Sequence, residues 1–169
     1  FTISPWGAFK IHRRAFERTP DAVNPPPRQR EAMAENAQPV PITADDGYVL
    51  HGTYFAANPQ CRQGLAALVN CGAGIPARHY RHFALYLASA GISVLTYDYR
   101  GIGLSRPPAM RHFTATIEDW AERDCRAAID WLRARCPDAT LVGIGHSVGG
   151  VLFVASLGAD EFIDYKRAP

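Results

Sequence analysis

An α/β architecture, with a mainly parallel sheet carrying helices on both faces, is predicted from three observations. Three short apolar runs recur along the chain, LAALVN (65–70), GISVLTYD (91–98) and TLVGIG (140–145). Each is followed by a glycine-bearing loop, and each loop leads into a segment of helical periodicity. Strand and helix in strict alternation is the order a parallel sheet requires, because parallel neighbours need a crossover long enough to hold a helix.

The elements follow in order. Residues 1–38 stand outside this rhythm and read as an N-terminal extension, with residues 39–169 as the domain. SPWGAFKIHRRAFERT could form a short helix bearing Trp6, Phe9 and Phe16 among basic residues, and Pro25-Pro26-Pro27 stops regular structure. Such a segment is expected to pack on its own domain more often than on a membrane surface. VPITADDGYVLHGTYF then predicts two strands around Asp45-Asp46-Gly47, a hairpin signal because Asp and Gly accept positive φ. LAALVN is a continuous apolar run, as for a strand covered on both faces. After CGAGIP, Tyr80, Phe83, Ala84, Leu87 and Ala88 fall on one face of a helix that Gly91 can end. The second apolar strand leads into the loop YRGIGLSRPP. A longer helix is expected from Thr114 or Thr116, with Ile117, Trp120, Ala121, Ala128, Trp131 and Leu132 on its apolar face and Pro137 beyond its end. TLVGIG is read as a third buried strand, followed by a helix starting at Ser147 and stopped by Gly158.

Composition narrows the function classes. The 169 residues suit one domain with a sizeable core, and 47% hydrophobic with 20% charged residues is ordinary for a globular protein. A net charge of +2 gives no electrostatic footprint for nucleic acid. No run approaches the ~18 apolar residues of a membrane span, and the first residues lack the order of a secretory signal. The cysteines, Cys61, Cys71, Cys125 and Cys136, form no CxxC pair and no metal-like cluster with histidine. Cys125 and Cys136 on one helix would lie about 16 Å apart, too far to bridge. Reduced thiols and a cytoplasmic location are expected.

The chemistry concentrates in Gly145-His146-Ser147-Val148-Gly149, a G-x-S-x-G pattern between a strand and a helix. Functional groups collect at the carboxyl ends of strands in such sheets. A sharp strand-to-helix turn puts the serine in a strained conformation, so its neighbours must approach without side chains. Gly145 and Gly149 permit this, and Gly150 adds room. The new helix aims its first amides at the site. The plainer alternative is that Ser147 only caps a helix.

Three stretches together resemble the α/β-hydrolase superfamily over roughly residues 40–160: LVNCGAGIP (68–76), DYRGIGLS (98–105) and GHSVGG (145–150). The phrasing is most similar to poorly characterised bacterial predicted hydrolases. The resemblance implies a hydrolase fold with an N-terminal hairpin and Ser147 as nucleophile. It implies an oxyanion hole from the backbone N–H of Val148 and of Ala73, in a loop where Cys71-Gly72 stands for the usual His-Gly. Asp98 is expected to brace its loop, Arg100 to tie that loop down, and His146 to point away and pack below the reacting centre. Cys71 is read as a buried thiol, and His79 and His82 as surface histidines that could also approach the site. Asp160 and Asp164 are read as surface carboxylates.

The implied activity is hydrolysis of an ester-like small molecule through an acyl-enzyme, with thioesters and amides open as substrates and no metal or organic cofactor. A serine at the elbow argues against haloalkane dehalogenases. The family order also calls for an acid and then a histidine after the serine, yet no histidine follows His146 and the sequence ends at Pro169. A truncated α/β-hydrolase fold is therefore expected, inactive by itself, with an open sheet edge available for self-association. Three arrangements fit: part of a longer hydrolase, an inert truncation, or a histidine supplied by His79, His82 or a partner chain. The rival class is a non-catalytic binding or assembly module.

Overall fold

The computed structural model describes residues 37–157. Five strands form one sheet: β1 (Ala37–Thr43), β2 (Val49–Phe55), β3 (Leu65–Asn70), β4 (Ile92–Tyr97) and β5 (Thr140–Gly145), in spatial order β1-β2-β4-β3-β5. The three apolar runs are β3, β4 and β5. The predicted hairpin is β1–β2, its turn closed by Gly47 N–H to the Ala44 carbonyl and by Tyr48 N–H to Asp46 Oδ1.

The expectation of a mainly parallel sheet holds in part. Pairs β3–β4 and β3–β5 are parallel, whereas β1–β2 and β2–β4 are antiparallel. The hairpin does not stand apart. It extends the sheet by pairing Gly52–Phe55 with Val94–Tyr97, and a strand arriving from a hairpin on that edge runs against its neighbour.

Helices lie on both faces because β-strand side chains alternate. Ala67, Val69, Ile92 and Val94 pack against Ala84, Leu87 and Ala88 of α1 (Arg81–Ser89). Ala66, Leu68, Leu95 and Tyr97 face the other way, onto Ala128 and Leu132 of α2 (Arg126–Arg135) and Leu152 of α3 (Val148–Leu157). The single-face reading of α1 fails at Phe83, which is exposed, because α1 follows a 3-10 turn (Ala77–Tyr80) and its inward stripe is narrow.

The long helix also departs from expectation. Thr116 caps it, donating its N–H to Asp119 while its hydroxyl accepts from the Asp119 N–H. Ile117, expected on the apolar face, is exposed. The segment Asp119–Cys125 is π-helical, and the wider turn rotates the inward face so that Ala121, Asp124 and Cys125 are buried together.

Strand β5 is not the buried strand predicted: Gly143 and Gly145 are exposed, and Thr140, Val142 and Ile144 half-buried. Among the described residues it pairs only with β3, so its outer edge carries no neighbour. Gly158, Asp160 and Asp164 lie outside the described residues, as does the N-terminal extension up to residue 36.

Candidate active site

Parallel pairing of β3 with β5 in the register Asn70–Gly145 brings the two following loops side by side. His146 N–H donates to the Asn70 carbonyl at 3.0 Å, carrying the alignment one residue past the strand. Ala73 and Val148 each lie three residues beyond that last pair.

Ser147 occupies the turn between β5 and α3. Its φ is +55°, and no other non-glycine residue among those described has positive φ. A side chain in this left-handed region costs roughly 1–2 kcal/mol, which the surrounding contacts must hold. Those contacts explain the glycines. A Cβ on Gly145 would lie 2.3 Å from the Gly150 nitrogen, and one on Gly149 would lie 2.3 Å from the Asn70 carbonyl oxygen. The Gly149 N–H returns to the His146 carbonyl and the Gly150 N–H to the Ser147 carbonyl, so the turn is closed within itself.

Ser147 is exposed, and no described group hydrogen-bonds its Oγ. The N–H groups of Val148 and Ala73 likewise have no described acceptor. Ala73 sits in a turn closed by Ile75 N–H to the Gly72 carbonyl, exposed at the end of β3. Two unspent backbone donors and an unengaged hydroxyl thus lie on loops that the β3–β5 register sets side by side.

His146 is corrected. It does not pack below the serine but is exposed, with Nδ1 2.7 Å from the Tyr80 hydroxyl. The Gly72 loop presses against it, since a Cβ on Gly72 would lie 3.0 Å from His146 Nδ1. His79 and His82 are exposed surface side chains.

Asp98 braces its loop. Oδ1 accepts from Ala77 N–H and Oδ2 from Leu104 N–H, while its carbonyl accepts from the Ser105 hydroxyl. Gly103 is required beneath it: φ is +50°, and a Cβ would meet Asp98 Oδ2 at 2.2 Å. Arg100 ties the loop to two further elements. Its Nε donates to Asp124 Oδ1 at 2.7 Å, its terminal nitrogens reach both oxygens of Asp46, and its plane lies over the Tyr48 ring. The Arg100 hydrogen bond, against some opposing burial, holds the Asp46 carboxyl down at about 2. Cys71 is buried, and that burial, reinforced by Asp98, pushes its thiol up to about 12. None of the four cysteines is paired.

Three contributors were not singled out from the sequence. Asn70 is fully buried at the end of β3, accepting from Tyr97 OH at 2.8 Å and donating to the Gly149 carbonyl at 3.2 Å and to Cys125 Sγ. Tyr80 links the two loops through its hydroxyl. Asp124 anchors Arg100. Only Asp124 left a signal, as a carboxylate in the apolar stripe between Ala121 and Ala128.

Two clefts, of about 190 and 400 Å3, lie away from the serine: one by His51, Phe55 and Ala77, the other between β1 and the helix around Arg126. Among the described residues no group of three or more His, Cys, Asp or Glu is placed to hold a metal ion, and no helix is long and apolar enough to cross a membrane.

Comparison with known proteins gives a match over residues 63–164 to the family described as serine aminopeptidase, S33. No curated protein matches the sequence. Among solved structures, an α/β serine hydrolase without lid from Xanthomonas campestris superposes with a TM-score of 0.60 at 21% identity, covering 73% of this chain and 56% of that one. An esterase from Pyrococcus furiosus gives 0.57 at 24% identity, covering 73% and 47%. An α/β hydrolase from Penicillium gives 0.57 at 25% identity, covering 71% and 40%. The chain thus spans about half the length of the solved structures it matches.

Proposed function

This chain belongs to the S33 serine aminopeptidase family of α/β-hydrolases, and from that premise we propose that Ser147 is the nucleophile of a serine hydrolase acting on ester-like carbonyl substrates. The observation that carries the proposal is the positive φ of Ser147, with its hydroxyl exposed and unengaged at the head of α3. A serine that only capped the helix would have no need of a strained backbone, because caps take ordinary extended angles.

In this mechanism Ser147 Oγ attacks the carbonyl carbon while a base takes its proton. The oxygen of the resulting tetrahedral species sits between the N–H groups of Val148 and Ala73. Collapse expels the alcohol and leaves an acyl-serine, which water hydrolyses to release the acid. No described histidine or carboxylate hydrogen-bonds Ser147, so the base and its orienting acid are assigned to groups other than the described residues around it. Losing one oxyanion donor in such a site typically costs about 3 kcal/mol of transition-state stabilisation. Esters come first among substrates because their leaving group needs less protonation than an amide's.

The rival reading, a hydrolase-fold assembly module, is favoured by the outer edge of β5, which pairs with no strand among the described residues. A fluorophosphonate probe separates the two. Labelling of the native protein that Ser147→Ala abolishes supports the nucleophile. A folded native protein that takes no label supports the module.

A further inference from the structure

Tyr80 lies at the seam between the two loops that carry the proposed oxyanion donors. Its hydroxyl accepts from the Gly72 N–H at 2.9 Å and stands 2.7 Å from His146 Nδ1. A phenol has one proton. With its oxygen accepting from Gly72, the hydroxyl still joins Nδ1, as donor or acceptor according to the imidazole tautomer. We infer that Tyr80 is a positioning residue: its hydroxyl clips the backbone at Gly72 to the side chain at His146, fixing the spacing between the amides of Ala73 and Val148. The inference rests on the reading of Ser147 as nucleophile.

Each link is short and has a fixed origin. Gly72 immediately precedes Ala73, so holding its N–H fixes the peptide plane next to the donor. His146 immediately precedes Ser147, and its own N–H is held by the Asn70 carbonyl. Tyr80 cannot drift, because it closes the 3-10 turn Ala77–Tyr80 whose first N–H is held by the buried Asp98. The loops from the ends of β3 and β5 therefore meet through one hydroxyl, and Asp98 at the end of β4 anchors the turn that carries it. The two rings also pack 6.0 Å apart, so the ring of Tyr80 contributes contact as well as its oxygen.

The plain alternative is that Tyr80 only fills space beside both apolar clusters, which it also touches. Tyr80→Phe keeps the ring and removes the hydroxyl, and so distinguishes the two. In the full natural protein, the rate of fluorophosphonate labelling at Ser147 should fall about tenfold in Tyr80→Phe. That is less than the roughly hundredfold or greater loss when a donor itself is removed, because both N–H groups remain.

His146→Ala should fall similarly, and the double variant no further, since one clip is broken once. His146→Asn, whose Oδ1 can stand where Nδ1 stands, should keep most of the rate. A rescue of this kind is not expected of a space-filling role. Hydrogen exchange at the Gly72 amide gives a readout independent of chemistry: slow in the native protein, fast in Tyr80→Phe. Native labelling rates in Tyr80→Phe, alongside a silent Ser147→Ala, would overturn the clip and leave the nucleophile standing. A native protein unlabelled at Ser147 would overturn both.

Discussion

Gly149 and Gly150 are neighbours in the first turn of α3, yet alanine should act in opposite directions at the two positions. A Cβ at Gly149 would sit 2.3 Å from the Asn70 carbonyl oxygen and 2.7 Å from that of Cys71, against an ordinary contact of 3.4 Å or more. Both oxygens belong to backbone at the end of a central strand, so neither can swing aside. The helix must retreat by about 1 Å. Forced overpacking costs roughly 1–3 kcal/mol, and the rigid partners place Gly149→Ala at the upper end. At Gly150 the nearest atom to a new Cβ is the Gly145 carbonyl oxygen at 4.0 Å. There alanine should stabilise by about 0.5–1 kcal/mol through helix propensity. Urea unfolding of the two variants should therefore differ by about 3.5–4 kcal/mol. The retreat also carries the Val148 N–H away from Ala73, and a misplacement of ~1 Å can cost on the order of a hundredfold in rate, so phosphonate labelling should drop in Gly149→Ala alone. If Gly149→Ala stays within about 0.5 kcal/mol of the native protein, the close approach of α3 to β3 is wrong.

Two further outcomes follow from buried polar groups. Asn70→Leu keeps the volume but leaves the Tyr97 hydroxyl without its acceptor in a fully buried site. It should cost roughly 2–4 kcal/mol, and Tyr97→Phe in the same chain should recover part of that loss, which a double-mutant unfolding cycle measures. Asp46, held near 2 against an ordinary 3.8, stabilises the fold above the ordinary value and loses that contribution as pH falls toward 2. Its side chain is 26% exposed, so screening reduces the contribution to about 1 kcal/mol. The stability gap between the native protein and Asp46→Asn should be full at pH 6, about half at pH 3 and about a sixth at pH 2.

The elements themselves were legible from local pattern. β3 and β5 begin and end where their apolar runs do, and the hairpin turn at Asp45-Asp46-Gly47 follows from local backbone preference. The glycines at 145 and 149 announced a tight turn because close approach excludes side chains whatever the rest of the chain does. Asp98 and Arg100 were expected as loop braces from the resemblance to α/β-hydrolases, and their contacts hold that loop.

What depends on long-range partners was not legible. The antiparallel entry of β2 beside β4 is set by which edge the hairpin joins, and nothing local to residues 49–55 encodes that choice. β5 reads as buried because its composition is apolar, but burial of a strand depends on having neighbours on both edges. The inward turn of Asp124 depends on one additional residue in a helical turn, which displaces Ile117 to the surface. The Tyr80 hydroxyl meets Gly72 and His146 only because parallel register puts Asn70 opposite Gly145. Sequence by itself determined the strands, the helices and the strained serine, because those follow from local backbone geometry and hydrophobic period. Tertiary structure alone decided which buried polar atoms meet, because a hydrogen bond across 66 residues, as between Tyr80 and His146, has no local signature.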